Sequence, residues 1–185
     1  MRKIFILGPQ GSGKGTQATL LSEKLSIPHL SMGQLLRDEV ASGSELAPEI
    51  SSVTDSGNLV SDELALSVLK KRLEADDTKQ GYILDGYPRN EAQYQVYKDY
   101  DEPTDVLVLT VPREESLKRM QKRAEVEKRI DDTPEAMRRR LEIYDQDTSP
   151  MLDHYRSSGT VREVDGVGTV EEIAVRMAEA LGLDN

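Results

Sequence analysis

Apolar positions along this chain fall into short unbroken runs, separated by longer stretches in which they recur every three or four residues. The runs are Lys3–Leu7, the pair His29-Leu30 behind Pro28, Tyr82–Leu84, Val106–Val111 and Val161–Val164, and each ends in turn-forming residues. Strands covered on both faces need apolar side chains at every position, so unbroken runs predict a parallel sheet. The three-to-four spacing predicts helices over Lys14–Leu25, Ser31–Val40, Asp62–Leu73, Glu91–Tyr100, Glu114–Arg123, Glu135–Tyr155 and Val170–Leu181. Alternation of the two patterns predicts an α/β fold, a three-layer, doubly wound, five-stranded parallel sheet. Such sheets collect ligands at the carboxyl ends of their strands.

Two segments fall outside the alternation. Residues 31–60 carry the soft punctuation Ser42-Gly43-Ser44 and Ser56-Gly57 and read as a small helical insertion; Ala124–Thr133 is charged and lacks an apolar period. Both are either plain surface loops or flaps that move over a site.

The first predicted strand runs into Gly8-Pro9-Gln10-Gly11-Ser12-Gly13-Lys14-Gly15-Thr16, and a helix follows at once. Strand, glycine-rich turn and helix make a phosphate cradle. Glycines let successive backbone N–H groups converge on phosphate oxygens, the helix N-terminus adds partial positive charge, and Lys14 reaches the β- and γ-phosphates. Phosphate loops usually place Ser or Thr directly after the lysine as a magnesium ligand. Here Gly15 takes that step and Thr16 follows it, which moves metal duty toward another group.

Composition narrows the class. The 185 residues suit one α/β domain with small appendages, and a net charge of −10 argues against a general nucleic-acid surface. Ten of the 24 cations nevertheless fall between Arg113 and Arg140, against seven acids, so that segment is net positive in an acidic chain. Such a concentration suits a compact polyanion. With no cysteine, disulfides and thiolate metal sites are excluded. The expectation is a cytoplasmic protein without a membrane span or a leader, since no apolar run approaches about 18 residues and the first strand begins near Met1.

A second group follows the third strand: Asp85-Gly86-Tyr87-Pro88-Arg89, then Gln93 one helical turn on. A carboxylate at a strand end beside a phosphate loop can hold hydrated magnesium. Gly86 allows close backbone approach, Arg89 offers a planar fork for phosphate, and Gln93 pairs a donor with an acceptor, as a base edge requires. Arg119 and Arg123 share a helix face at i, i+4, and Arg129 and Arg140 flank the charged segment beside Asp131-Asp132. The plain alternative is a solvated helix laced with ion pairs, for which Glu115 and Arg119 have the right spacing. His29 and His154 read as structural or solvent-facing.

Taken together these motifs resemble the adenylate kinase family in its short-lid form, and they occur in the family's order over nearly the whole chain. The pattern GxxGxGKGT is the variant of nucleoside monophosphate kinases. Further matches are Ser31-x-Gly33-x-Leu35-Leu36-Arg37, Gly57-x-Leu59-Val60 with Asp62-Glu63, Lys118-Arg119-x-x-Lys122-Arg123, Arg129-x-Asp131-Asp132 and Arg140. The resemblance implies a P-loop NTPase core over residues 1–30, 61–121 and 133–185, a monophosphate-binding flap over 31–60 and a short lid over 122–132. It implies magnesium-dependent phosphoryl transfer from ATP to AMP, giving two ADP.

It further implies that Gly11, Ser12, Gly13, Lys14, Gly15 and Thr16 hold the ATP phosphates, with Asp85 holding magnesium through water. Arg119 and the backbone of Gly168 would face the ATP adenine, and Arg123 its phosphates. AMP would lie against Met32, Arg37, Asn58, Leu59, Val60, Gly86, Tyr87, Pro88, Arg89 and Gln93, with Arg129 and Arg140 closing over the transferring group. Lys14, Arg89, Arg123, Arg129 and Arg140 would be the catalytic cations. The family is mostly monomeric, and the zinc-bearing lid of some relatives is absent here.

Three positions depart from the pattern: Met32 where Thr is usual, Gln34 where Asp is usual, and Asn90, which is similar to the UMP/CMP kinases. A UMP/CMP or broad-acceptor kinase is therefore an alternative, and a nucleotide-sensing module without transfer is a remote one.

Overall fold

A computed structural model of the protein describes residues 1–127 and 133–183. Five strands, β1 (Arg2–Leu7), β2 (His29–Ser31), β3 (Gly81–Asp85), β4 (Asp105–Thr110) and β5 (Val161–Asp165), form one parallel sheet in the order β2-β3-β1-β4-β5. The unbroken apolar runs are explained by what lies on each face. In β1, Phe5 and Leu7 enter one core cluster while Ile4 and Ile6 enter another. In β4, Val106 and Val108 divide from Leu107 and Leu109 in the same way. Period-two side-chain alternation with both faces covered leaves no position for a polar residue.

One face is covered by α1 (Lys14–Leu25) and α9 (Val170–Ala180), which bring Ala18, Leu21, Ile173 and Met177 to the core. A capping box at Thr169 and Glu172 starts α9 where the apolar period begins. The other face carries α4 (Asp62–Leu73), α5 (Glu91–Tyr100) and α8 (Ser149–Ser157), with Tyr97 and Tyr155 packed against Phe5 and Tyr94 against Tyr155. Two short helices, α2 (Met32–Ala41) and α3 (Ala47–Thr54), make an excursion between β2 and α4.

Two helices differ from the apolar spacing. Helix α6 (Arg113–Glu127) runs past Arg123 through Ala124 and the good helix former Glu125, and Ala124 packs against the cluster of Met120, Met137 and Leu141. The stretch predicted as one helix over 135–155 divides into α7 (Pro134–Ile143), a π-helical turn at Tyr144–Thr148, and α8. Pro150 lacks an N–H and its ring would strike the carbonyl one turn back, so the ladder widens there.

Candidate active site

Register sets the site. Ile6 of β1 lies beside Asp85 of β3, and the Gly86 N–H donates to the Ile6 carbonyl at 3.3 Å, so the loops after the two central strands leave the sheet side by side. The first of these loops is the cradle. Gly11 has φ +79°, and a Cβ there would run into the Ser116 carbonyl oxygen, so α6 packs directly on the loop and only glycine fits.

Lys14 is buried, and its Nζ donates to the carbonyls of Gly8 and Pro9, 2.8 Å each. Burial pulls its pKa from 10.5 down to about 8, with Arg89 and Arg123 adding to the fall and Asp85 opposing it. Asp85 is also buried. Its Oδ1 has no hydrogen-bond partner among the described residues, while its Oδ2 lies 3.7 Å from Nε2 of His29. His29 therefore stands beside the site rather than in solvent, a position that one histidine after a proline does not reveal. Gly15 keeps its side-chain position open at an ordinary contact distance, 3.6 Å, from Asp85 Oδ2.

Arg119 holds the cradle from above. Its Nη1 donates to the carbonyls of Gly166 (2.9 Å) and Ser12 (3.3 Å), and its Nε to Glu115 Oε1 (2.6 Å). The i, i+4 ion pair and the loop contact are thus both real. Through Arg119, the turn of Gly166–Gly168 after β5 is brought against the phosphate loop.

The second loop positions Arg89. Its Nε donates to the Gly86 carbonyl (2.6 Å), its backbone N–H to Gln93 Oε1 (2.8 Å), and its carbonyl accepts from the Thr148 hydroxyl (2.6 Å). Burial again dominates and lowers its pKa to about 10; Asp85 opposes this, while Arg140 and Arg37 reinforce it. The Tyr87-Pro88 peptide is cis. Asn90 caps α5 by accepting from the Gln93 N–H at 2.7 Å, which gives this departing residue a local role.

Residues 31–60 approach from the side. Arg37 donates to Gln34 Oε1 (2.7 Å), Arg140 of α7 to the Thr54 carbonyl (3.4 Å), and Arg139 to Asn58 Oδ1 (3.0 Å). Gly57, at φ +80°, sits so close to α7 that a Cβ would lie 2.6 Å from the Ala136 carbonyl. Met32 and Val60 are buried in the large core cluster. A cleft opens between these parts, lined by Gly8, Lys14, Leu59, Pro88, Arg89 and Arg140, with Ile143 at the end of α7 and Tyr144 and Thr148 of the π turn as its far wall.

The fold thus gathers Lys14, Arg89 and Arg140 on one cleft, with Asp85 beside them. Arg119 and Gly168 lie on the opposite side of the cradle. Arg129, with Asp131 and Asp132, lies outside the described residues. The wall formed by Tyr144 and Thr148 was not read from the sequence; Pro150 inside the helical spacing was the available signal for it.

The sequence model of the adenylate kinase family matches residues 6–160. An adenylate kinase of Stenotrophomonas maltophilia (strain K279a) is 47% identical over 184 residues, which span 97% of this chain and 98% of that protein. The chain belongs to the adenylate kinase family. Adenylate kinases of Bifidobacterium longum (strain NCC 2705) and Xylella fastidiosa (strain M23) are 46% and 43% identical, again over 97% of this chain and 99% of theirs. Identity of that extent leaves no room for a different architecture, and the parallel five-stranded sheet with its flanking helices is the P-loop kinase fold. No group of three or more candidate metal ligands occurs among the described residues, and none of their helices is long and apolar enough to cross a membrane.

Proposed function

We propose that the cleft is the acceptor half of a two-nucleotide site, with the donor on the other side of Lys14. As an adenylate kinase, the protein transfers a phosphoryl group from ATP to AMP and yields two ADP. The observation that carries the site reading is the convergence of Lys14, Arg89 and Arg140 on one cleft beside the glycine loop. Phosphoryl transfer needs alignment and cancellation of charge more than covalent help, and fixed cations provide both.

In this reading Gly11–Thr16 hold the ATP phosphates and Lys14 exchanges its two loop carbonyls for phosphate oxygens. Arg119 and the backbone at Gly168 border the adenine, and Arg123 meets the phosphates. Arg37 and Arg89 grip the AMP phosphate, while Met32, Asn58, Leu59, Val60, Gly86, Tyr87, Pro88 and Gln93 enclose its base and sugar. Arg129 and Arg140 close over the transferring group. Residues 31–60 act as a flap and 122–132 as a lid that excludes water during transfer.

The orphaned, buried Oδ1 of Asp85 suits a magnesium ion held through water. Magnesium supplies charge neutralisation between the two phosphate chains when bound. A monomer in the cytoplasm completes the proposal, on the family resemblance alone.

The test is ADP formation from ATP with AMP, CMP and UMP, for the wild type and for Arg123→Ala. AMP preference is expected, with turnover in the variant down by at least 100-fold at unchanged unfolding midpoint. Near wild-type turnover in a folded variant would remove Arg123 from the mechanism, and equal use of CMP would give the acceptor site a broader role.

A further inference from the structure

Asn90 does more than cap a helix. Its Oδ1 accepts from the Gln93 N–H at 2.7 Å, and its Nδ2 donates to Asp62 Oδ1 at 2.9 Å, across 28 residues of sequence. Asp62 opens α4 directly after Val60 and Ser61, and Gln93 is 2% exposed with its own Oε1 fixed on the Arg89 N–H. One amide therefore ties the segment that carries Leu59 and Val60 to the turn that carries Arg89 and Gln93. We infer that Asn90 is a positioning residue for acceptor selection, holding the two base-facing segments in register through Asp62. This rests on the proposed acceptor site.

The physical reason lies in the geometry of discrimination. A site that tells adenine from a smaller pyrimidine must keep fixed both the apolar contact from Val60 and the polar edge from Gln93. Val60 precedes α4 and Gln93 lies on α5, and these two helices meet through apolar side chains of the large core cluster. A bond from an amide to a carboxylate is charge-assisted and directional, and so restrains the spacing more than an apolar contact would. In this chain the Asn90 amide is long enough to reach Asp62.

Asn90→Asp keeps a capping oxygen of equal quality and turns the bridge into a carboxylate pair. Its kcat/KM for AMP is expected to fall about tenfold, mainly through KM, with KM for ATP within twofold and a smaller AMP:CMP ratio. Asp62→Asn combined with Asn90→Asp reverses the polarity of the bridge and is expected to recover AMP use to within about threefold. Asn90→Ser keeps a cap and is too short to span to Asp62; it is expected to lose selectivity without any added charge.

A double variant no better than Asn90→Asp would overturn the inference, since the new charge would then act on the AMP phosphate directly. Equal rises in KM for ATP and AMP would overturn it as well. Gln93→Ala separates the layers of the argument. If it leaves acceptor preference unaltered, the acceptor-site reading itself falls; if it shifts preference and the Asn90 variants do not, only the bridging role falls.

Discussion

Lys14 is held in a costly state before any nucleotide arrives, and Lys14→Met measures that cost. The ammonium is buried, with a pKa drawn from 10.5 to about 8. Burial penalises the charged form, so the native state gives up this proton more readily than the unfolded chain does. Between pH 8 and 10.5 the unfolded state binds more protons, and wild-type stability must rise with pH over that range.

The full effect is worth about 3 kcal/mol, of which about 2 kcal/mol develops between pH 7 and 9.5. Methionine fills similar space without titrating. The two lost hydrogen bonds to Gly8 and Pro9 shift the variant's stability by an amount in which this proton plays no part. Tyrosines with raised pKa values, such as Tyr82 and Tyr155, titrate in both proteins and cancel in the difference.

The assay is urea unfolding of both proteins at several pH values and constant ionic strength. The wild type is expected to gain about 2 kcal/mol on the variant across the range, while turnover of the variant is lost. Parallel stability curves would refute the reasoning, because they would mean that Lys14 already has the solvation of an exposed amine.

Two further outcomes follow, one from a close contact and one from a buried hydroxyl. Gly57→Ala places a Cβ 2.6 Å from the Ala136 carbonyl at φ +80°, which should hold residues 54–58 away from α7. KM for AMP is expected to rise about tenfold with KM for ATP unchanged, at a stability loss of about 1–3 kcal/mol; steady-state kinetics with each substrate varied would check it. Tyr87 buries a hydroxyl with no partner among the described residues. Tyr87→Phe is therefore expected to unfold at equal or higher urea concentration, by up to about 1 kcal/mol, and a clear destabilisation would reveal a partner for that hydroxyl.

Much of this protein was legible in its sequence because its signals are local. The unbroken apolar runs gave a parallel sheet, since each strand must feed two cores, and Phe5 with Leu7 against Ile4 with Ile6 meet that demand. The glycine loop was legible for the same reason: its geometry is fixed by residues adjacent in the chain. The arginines stood out as an excess of charge, although their common target did not follow from spacing.

Tertiary structure decided whatever depends on distant segments meeting. Register alone places Asp85 beside the cradle, and burial, which is absent from any local pattern, lowers the pKa of Lys14. Asn90 stood in the sequence as a departure from a family pattern, and only the approach of Asp62 gives it a task. The π turn that brings Thr148 to Arg89 arises from Pro150 in an otherwise continuous helix, where helical spacing cannot register one widened turn. Local patterns fix which elements form, because propensity and periodicity act over a few residues. Which side chains share a site depends on how those elements pack.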